Sequence, residues 1–198
     1  WINPDHFRVG FAQWRSRTVF FMPDKRPVLK SIDLSRAWRR VGHEIAEAHP
    51  TSDRIILVGI QRGGVALSKQ LGKTLADIYG HEIKTGSVEP GLHRDDLSNR
   101  AMSKLLPTEL PKDIAGQIVI LVDDVFYTGR TVRASIDALL GFGRPRCIQL
   151  AALIDRGHRE LPIRADYIGK NLPTHPEERV EVHTTEEGVP QSVIIQSP

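Results

Sequence analysis

Five apolar residues, Ile118 to Val122, run straight into two aspartates, Asp123 and Asp124, and then into Thr128-Gly129-Arg130-Thr131. The run is too short for a helix and β-branched enough for a buried strand, and Val132, Ile136, Leu139 and Leu140 then follow at helical spacing. A strand that ends in paired acids and turns through glycine into a helix leaves few folds open. The unsatisfied N–H groups of a helix start carry about half a positive charge. Gly129 lets the backbone close in on an oxyanion, and two threonine hydroxyls donate. A phosphate fits such a seat. Two acids beside it would repel the phosphate unless they face another part of the ligand, so they accept hydrogen bonds from sugar hydroxyls or hold a cation. The ligand implied is a phosphorylated sugar.

Other readings of the same residues fare worse. Receiver domains also end a strand in Asp-Asp, but their acids come early in the chain and no Thr-Gly-x-Thr follows. A Walker phosphate loop is absent, since Gly-x-x-x-x-Gly-Lys-Ser/Thr occurs nowhere. A second strand, Ile55 to Ile60, ends in Gln61-Arg62-Gly63-Gly64 before a helix marked by Val65, Leu67, Leu71, Leu75 and Ile78. Alone a Gly-Gly turn says little. Next to the Asp-Asp strand on the carboxyl edge of a parallel sheet it becomes a second oxyanion seat, where open α/β folds bind ligands.

The chain has 198 residues, enough for one α/β domain with a real core. Its single cysteine, Cys147, has no partner for an internal disulfide and reads as a buried small hydrophobe, which suits a reducing cytoplasm. No apolar run approaches the ~18 residues needed to cross a bilayer, and the first residues lack the core of a secretory signal. Net charge is +3, unevenly spread: residues 1–40 hold nine Lys/Arg against three Asp/Glu, leaving 18 basic and 21 acidic residues elsewhere. Bulk charge does not announce a nucleic-acid binder, so any such role must come from local patches.

Residues 1–21 carry scattered arginines and aromatics with no period. They are expected to be an upstream extension or a disordered arm ahead of a natural start at Met22, with a basic RNA-touching arm as the alternative. Ser31 or Asp33 caps a helix to about Ala48. Leu34, Trp38, Val41 and Ile45 share its inner side, and Arg36, Arg39, Arg40 and His43 its outer side. Glu82 to Val88 reads as a strand. Residues 89–112, with Arg94, read as a lid able to close over a pyrophosphate and exclude water. Cys147 to Ile154 forms another strand, and the turn after it, Asp155 to Pro162, adjoins the ligand edge. Tyr167 to Gly169, Val180 to His183 and Val193 to Ile195 read as short antiparallel strands.

Apolar-four, Asp-Asp, three residues, Thr-Gly-x-Thr resembles the signature of phosphoribosyl pyrophosphate (PRPP) sites. Taken with GRPRCIQLAALIDRGHRELPIRADYIGKN and HRDDL, the chain over residues 30–195 resembles the family of pyr operon attenuators that double as uracil phosphoribosyltransferases. The resemblance implies a type I phosphoribosyltransferase fold, a central parallel sheet flanked by helices with a small hood, as a single domain over 22–198. It implies transfer from PRPP to uracil, giving UMP and pyrophosphate. Mg²⁺ would be held mainly through PRPP near Asp123 and Asp124. Asp123 and Asp124, with Arg94 from the lid, form the implied catalytic set. Val125, Tyr127, Thr128, Gly129, Arg130 and Thr131 complete the pentose-phosphate side, and Gln61, Arg62, Gly63 and Gly64 the pyrophosphate side. Uracil would be read near Ile154, Arg156 and Gly157. The family also binds a hairpin of its operon's leader mRNA, tightened by UMP or UTP. The matching RNA-contact positions are Arg39, Arg40, His43, His158, Arg159, Arg164, Lys170 and Asn171. A cytoplasmic homo-oligomer is implied. Two departures stand out: Arg62 comes one place earlier than the family's loop arginine, leaving Gly63 in its position, and the lid carries Pro90-Gly91 and His93 where other residues are common.

Overall fold

A computed structural model of the chain describes residues 25–93, 106–111 and 113–197. The expected extension, residues 1–21, lies outside them, as does Arg94. The core is a five-stranded parallel sheet built from β2 (Ile55–Ile60), β3 (Lys84–Val88), β4 (Ile118–Phe126), β5 (Cys147–Asp155) and β6 (Tyr167–Asn171), in the order β3-β2-β4-β5-β6. Period-2 alternation splits β2 and β4 between two buried faces. Ile55, Leu57, Ile120 and Val122 pack with Leu34, Trp38, Val41 and Ile45 of α1 (Ser31–Ala48) and Leu67, Leu71 and Leu75 of α2 (Gly63–Tyr79). Ile56, Val58, Val119 and Leu121 pack with Val132 and Leu139 of α3 (Arg130–Leu140) on the other face. Each fully buried large apolar side chain contributes about 1.5–3 kcal/mol.

α2 therefore leads from β2 outward to β3 on one face, and α3 leads from β4 to β5 in the other direction on the opposite face. The winding reverses between β2 and β4, and the crevice at such a reversal is where doubly wound sheets take ligands. The fold thus sets the Gly63-Gly64 turn and the Thr128-Gly129 turn side by side.

A second, three-stranded antiparallel sheet, β1-β8-β7, forms the hood from β1 (Lys25–Lys30), β7 (Arg179–Thr184) and β8 (Pro190–Gln196). β7 and β8 pair antiparallel as expected, but β6 runs parallel to β5, extending the core sheet. β1 is a strand the sequence did not announce. Its residues, KRPVLK, are charged and hold a proline, which an edge position tolerates. β4 runs four residues past Val122, so Asp123 and Asp124 sit within the strand, and α3 starts at Arg130. Neither Ser31 nor Asp33 caps α1: Lys30 holds the cap position, and the Ser31 hydroxyl donates to the Pro190 carbonyl, 2.8 Å away, tying α1 to the hood. Cys147 is exposed, not buried, because it opens β5 where the strand emerges from the Arg144–Arg146 turn.

Candidate active site at the switch point

Asp123 is buried and Asp124 half-buried at the end of β4. Asp123 Oδ1 accepts the Asp124 N–H at 3.0 Å and Asp124 Oδ1 accepts the Val125 N–H at 2.9 Å, so a backbone amide orients each carboxylate. Gly129, at φ +92, turns the chain into α3, and a residue with a side chain would be strained in that conformation. As cap residue it offers no side chain, and the Arg130 amide at the helix start reaches Thr128 Oγ1 at 3.4 Å; the start of α3 is where an anion seat is expected. The turn does not float: the Thr128 carbonyl accepts the Glu160 and Leu161 N–H groups at 3.0 and 3.2 Å, and Arg130 pairs with Glu160. Thr131 and Val125 are partly exposed beside it.

The second seat is packed against the first. Gln61 N–H donates to the Val88 carbonyl at 3.0 Å, Arg62 is exposed, and α2 starts at Gly63. A Cβ on Gly64 would lie 2.0 Å from the Val122 carbonyl oxygen, and one on Gly63 would lie 2.2 Å from Asp124 Oδ2. Gly64 is thus demanded by contact with the β4 backbone, whereas the neighbour of Gly63 is the end of the Asp124 side chain. Gly63 leaves the space that the Asp124 carboxylate fills.

The turn after β5 divides differently from the sequence expectation. Ile154 is fully buried, and Gly157, at φ +78, is exposed. Arg156 is only 6% exposed: its guanidinium donates to Thr174 Oγ1 and to the His175 and Glu178 carbonyls at 2.7–3.0 Å and stacks 4.1 Å from the Tyr127 ring centroid. Arg159 donates to the Tyr127, Gly157 and Ile163 carbonyls, pairs with Asp155 at 2.6 Å and lies 3.5 Å from the Phe126 ring centroid. The two arginines clamp the phosphate turn to the β5–β6 turn. Their side chains are engaged within the fold by these bonds and ring contacts. His158, at φ +57, bonds the Thr174 carbonyl. Arg40 donates to the Ile168 and Gly169 carbonyls at 2.9 Å and pairs with Glu44, fastening α1 to β6. Arg39, His43, Arg164, Lys170 and Asn171 are exposed. A cleft of about 480 Å³ brings Gly157, Arg164 and Asn171 together at the ends of β5 and β6.

Sequence reasoning also missed how the described ends of the 89–112 segment are tied to β3 and to each other. Ser87 and Glu109 exchange backbone hydrogen bonds at 2.7 and 2.9 Å, the Glu89 amide donates to Thr108 Oγ1 at 3.0 Å, and the Glu89 carboxylate accepts the Gly91 and Leu106 amides. Arg133 of α3 donates to the His93 carbonyl at 2.9 Å, tying the segment after β3 to α3. A glutamate bonding across an irregular stretch leaves no periodic trace in the sequence. At the opposite end of the sheet, burial pushes the Tyr79 and Tyr167 hydroxyls above their ordinary value of 10.0, helped at Tyr167 by the Asp166 carboxylate. Among the described residues no three His, Cys, Asp or Glu side chains group as metal ligands, and no helix is long and apolar enough to cross a membrane.

Two helix starts on neighbouring strands, with paired carboxylates between them, are the arrangement of a phosphoribosyltransferase, and the phosphoribosyl transferase domain matches residues 33–186. Solved structures agree on the fold: hypoxanthine phosphoribosyltransferase of Trypanosoma cruzi with IMP matches at TM-score 0.64, covering 89% of this chain and 91% of that one at 17% identity. Another structure of that enzyme gives 0.63, covering 87% and 97% at 16% identity. The curated relatives are nearer. Bifunctional protein PyrR of Pelotomaculum thermopropionicum is 47% identical, covering 87% of this chain and 96% of that one. PyrR of Bacillus cereus is 49% identical over 83% and 93%, and that of Streptomyces coelicolor 47% over 87% and 90%. The chain belongs to the bifunctional PyrR family.

Proposed function

We propose that this chain, working as a single domain over residues 22–198, transfers the phosphoribosyl group of PRPP to uracil and also regulates pyrimidine synthesis by binding a leader-mRNA hairpin. The observation that carries the catalytic half is the shared wall of the two anion seats, where Gly63 and Gly64 pack against Asp124 and Val122. One seat takes the 5′-phosphate on the first amides of α3, and the other takes the pyrophosphate at the start of α2. The Asp123–Asp124 pair between them takes the ribose hydroxyls. Pyrophosphate leaves readily once its charge is met, so the protein supplies alignment and charge placement and no nucleophile. Arg62 at the loop mouth and Arg94 from the lid are the cations for that task. The donor set fits a magnesium ion that arrives with PRPP and takes no more than the Asp123–Asp124 pair from the protein. Bound there, it would supply positive charge against the leaving pyrophosphate. Uracil is read by main-chain groups of the Ile154–Gly157 turn, since the Arg156 side chain is engaged elsewhere.

The regulatory half is supported by family membership and by the exposed basic side of α1. RNA loops are read through splayed bases and phosphates on such surfaces. UMP or UTP in the pentose site would tighten RNA binding through the contacts joining Thr128 to Glu160 and Leu161. The setting is cytoplasmic, with the chains associated as a homo-oligomer. Formation of UMP from labelled uracil, PRPP and Mg²⁺ tests the catalytic half, and no turnover above background removes it. Retention of the gene's own leader transcript in a gel, strengthened by UMP, tests the other.

A further inference from the structure

α1 and α2 lie side by side on the outer face of the sheet and touch most closely at Gly42, where a Cβ would stand 2.7 Å from Thr74 Cγ2. Beside this contact runs an open groove of about 510 Å³, a volume on the scale of ligand pockets. Arg39 and His43 form its α1 wall, and Gln70, Thr74 and Asp77 its α2 wall. Ile78, 38% exposed, and the edge of Trp38 add apolar lining, and the Trp38 indole N–H donates to the Leu67 carbonyl at 3.2 Å and so keeps the ring in place.

The basic side of α1 is thereby divided. Arg40 turns away to the β6 carbonyls, whereas Arg39 and His43 are exposed and bond to no other described residue. Asp77 faces them across the groove yet enters no ion pair among the described residues. Its carboxylate is thus an acceptor for donors brought by a ligand. Arg36 on α1 and Lys73 on α2 are exposed one turn from the groove residues and add positive charge to its rims.

We propose that this groove seats one extruded guanine of the bound RNA, with Arg39 and His43 on its phosphate and Asp77, aided by Gln70, accepting the adjacent N–H donors of the base. The inference rests on the RNA-binding reading above and adds the α2 wall to it. Guanine is the base that presents two neighbouring donors on one edge, and a carboxylate accepts both. Unstacked loop bases are the form in which proteins read RNA sequence, and a groove between two helices admits a single base but not a duplex.

Gel retardation of the gene's own leader transcript by the full chain tests the assignment, using wild type, Asp77→Ala, Gln70→Ala and Lys73→Ala, and transcripts in which each loop guanine is changed to adenine. Asp77→Ala should weaken binding about 10- to 100-fold, on the scale of a good bidentate base contact. One guanine-to-adenine change should weaken wild-type binding equally and make no further difference to Asp77→Ala. Lys73→Ala should weaken all transcripts alike and flatten the salt dependence. An unchanged melting temperature shows that the fold is intact. If wild type binds and Asp77→Ala and Gln70→Ala bind equally well, the groove is not a base seat and only this inference falls. Equal losses on every transcript also overturn it, as does a change of oligomeric state in Asp77→Ala, which would assign the groove to subunit pairing. If wild type retains no leader RNA, the regulatory reading falls and the groove assignment with it.

Discussion

Replacing Gly63 with alanine puts a methyl group where the Asp124 carboxylate now sits. The added Cβ would lie 2.2 Å from Oδ2 and 2.3 Å from Cγ, whereas non-bonded heavy atoms settle at about 3.5 Å. Carboxylate or loop must therefore retreat by more than about 1 Å. If Asp124 retreats, it gives up the bond its Oδ1 accepts from the Val125 amide. A misplacement of about 1 Å in a reacting constellation costs on the order of 100-fold. We expect kcat/KM for PRPP to fall by about that factor, or about 2.7 kcal/mol of transition-state stabilisation. Initial rates of UMP formation against PRPP concentration measure the fall, and thermal melts show whether the fold survives. The reasoning makes a sharper demand in combination. Asp124→Ala removes the group with which the methyl collides, so adding Gly63→Ala to it should cost almost nothing more. Full activity in the single variant, or losses that multiply in the double, would refute the steric coupling.

Arg156→Ala removes a buried cation that holds the 174–178 segment and Tyr127. We expect urea melts to show a loss of about 3 kcal/mol, as for several charge-assisted hydrogen bonds lost together, and a neutral result would deny its bracing role. Tyr167 is raised above 10.0 by burial, then by Asp166, so its neutral form belongs to the fold. The unfolded chain ionises first as pH rises, and stability present below about pH 10 should be lost as pH climbs towards the folded value. Melting temperatures from pH 8 to 11 should fall less steeply in Tyr167→Phe than in wild type. Cys147 should react with a thiol reagent in the native protein at one equivalent per chain, and protection until unfolding would contradict its exposure.

What was legible in the sequence follows from the range of the forces involved. The buried strands β2, β4 and β5 announce themselves because both faces are covered, which demands continuous apolar runs such as IILVGI. The turns after β2 and β4 are legible because glycine and paired acids at strand ends have few other uses. β1 was not legible: among the described residues it pairs with β8, more than 150 positions away in sequence, and an edge strand needs no apolar pattern. The parallel direction of β6 depends on where Tyr167 meets Ala151, a register that five residues do not encode. Arg156 and Arg159 read in the sequence as uracil- and RNA-contact positions, with no sign of the internal bonds they make. Their partners are carbonyls and rings from other segments, so their fate is settled only when β4 and β5 lie side by side. The same holds for Gly63, which reads as an ordinary turn glycine until Asp124 is seen filling the space beside it.

Lys30 pairs with Ser192 in the hood, with almost the whole chain between them. On the ribosome the parallel sheet has all its strands once Asn171 has emerged, but the cover over it waits for the last strand to be made. Such distant pairing is slow to form because so long a loop must close first. A nascent chain thus passes through a stage with the strands of its parallel sheet made and its hood sheet unmade.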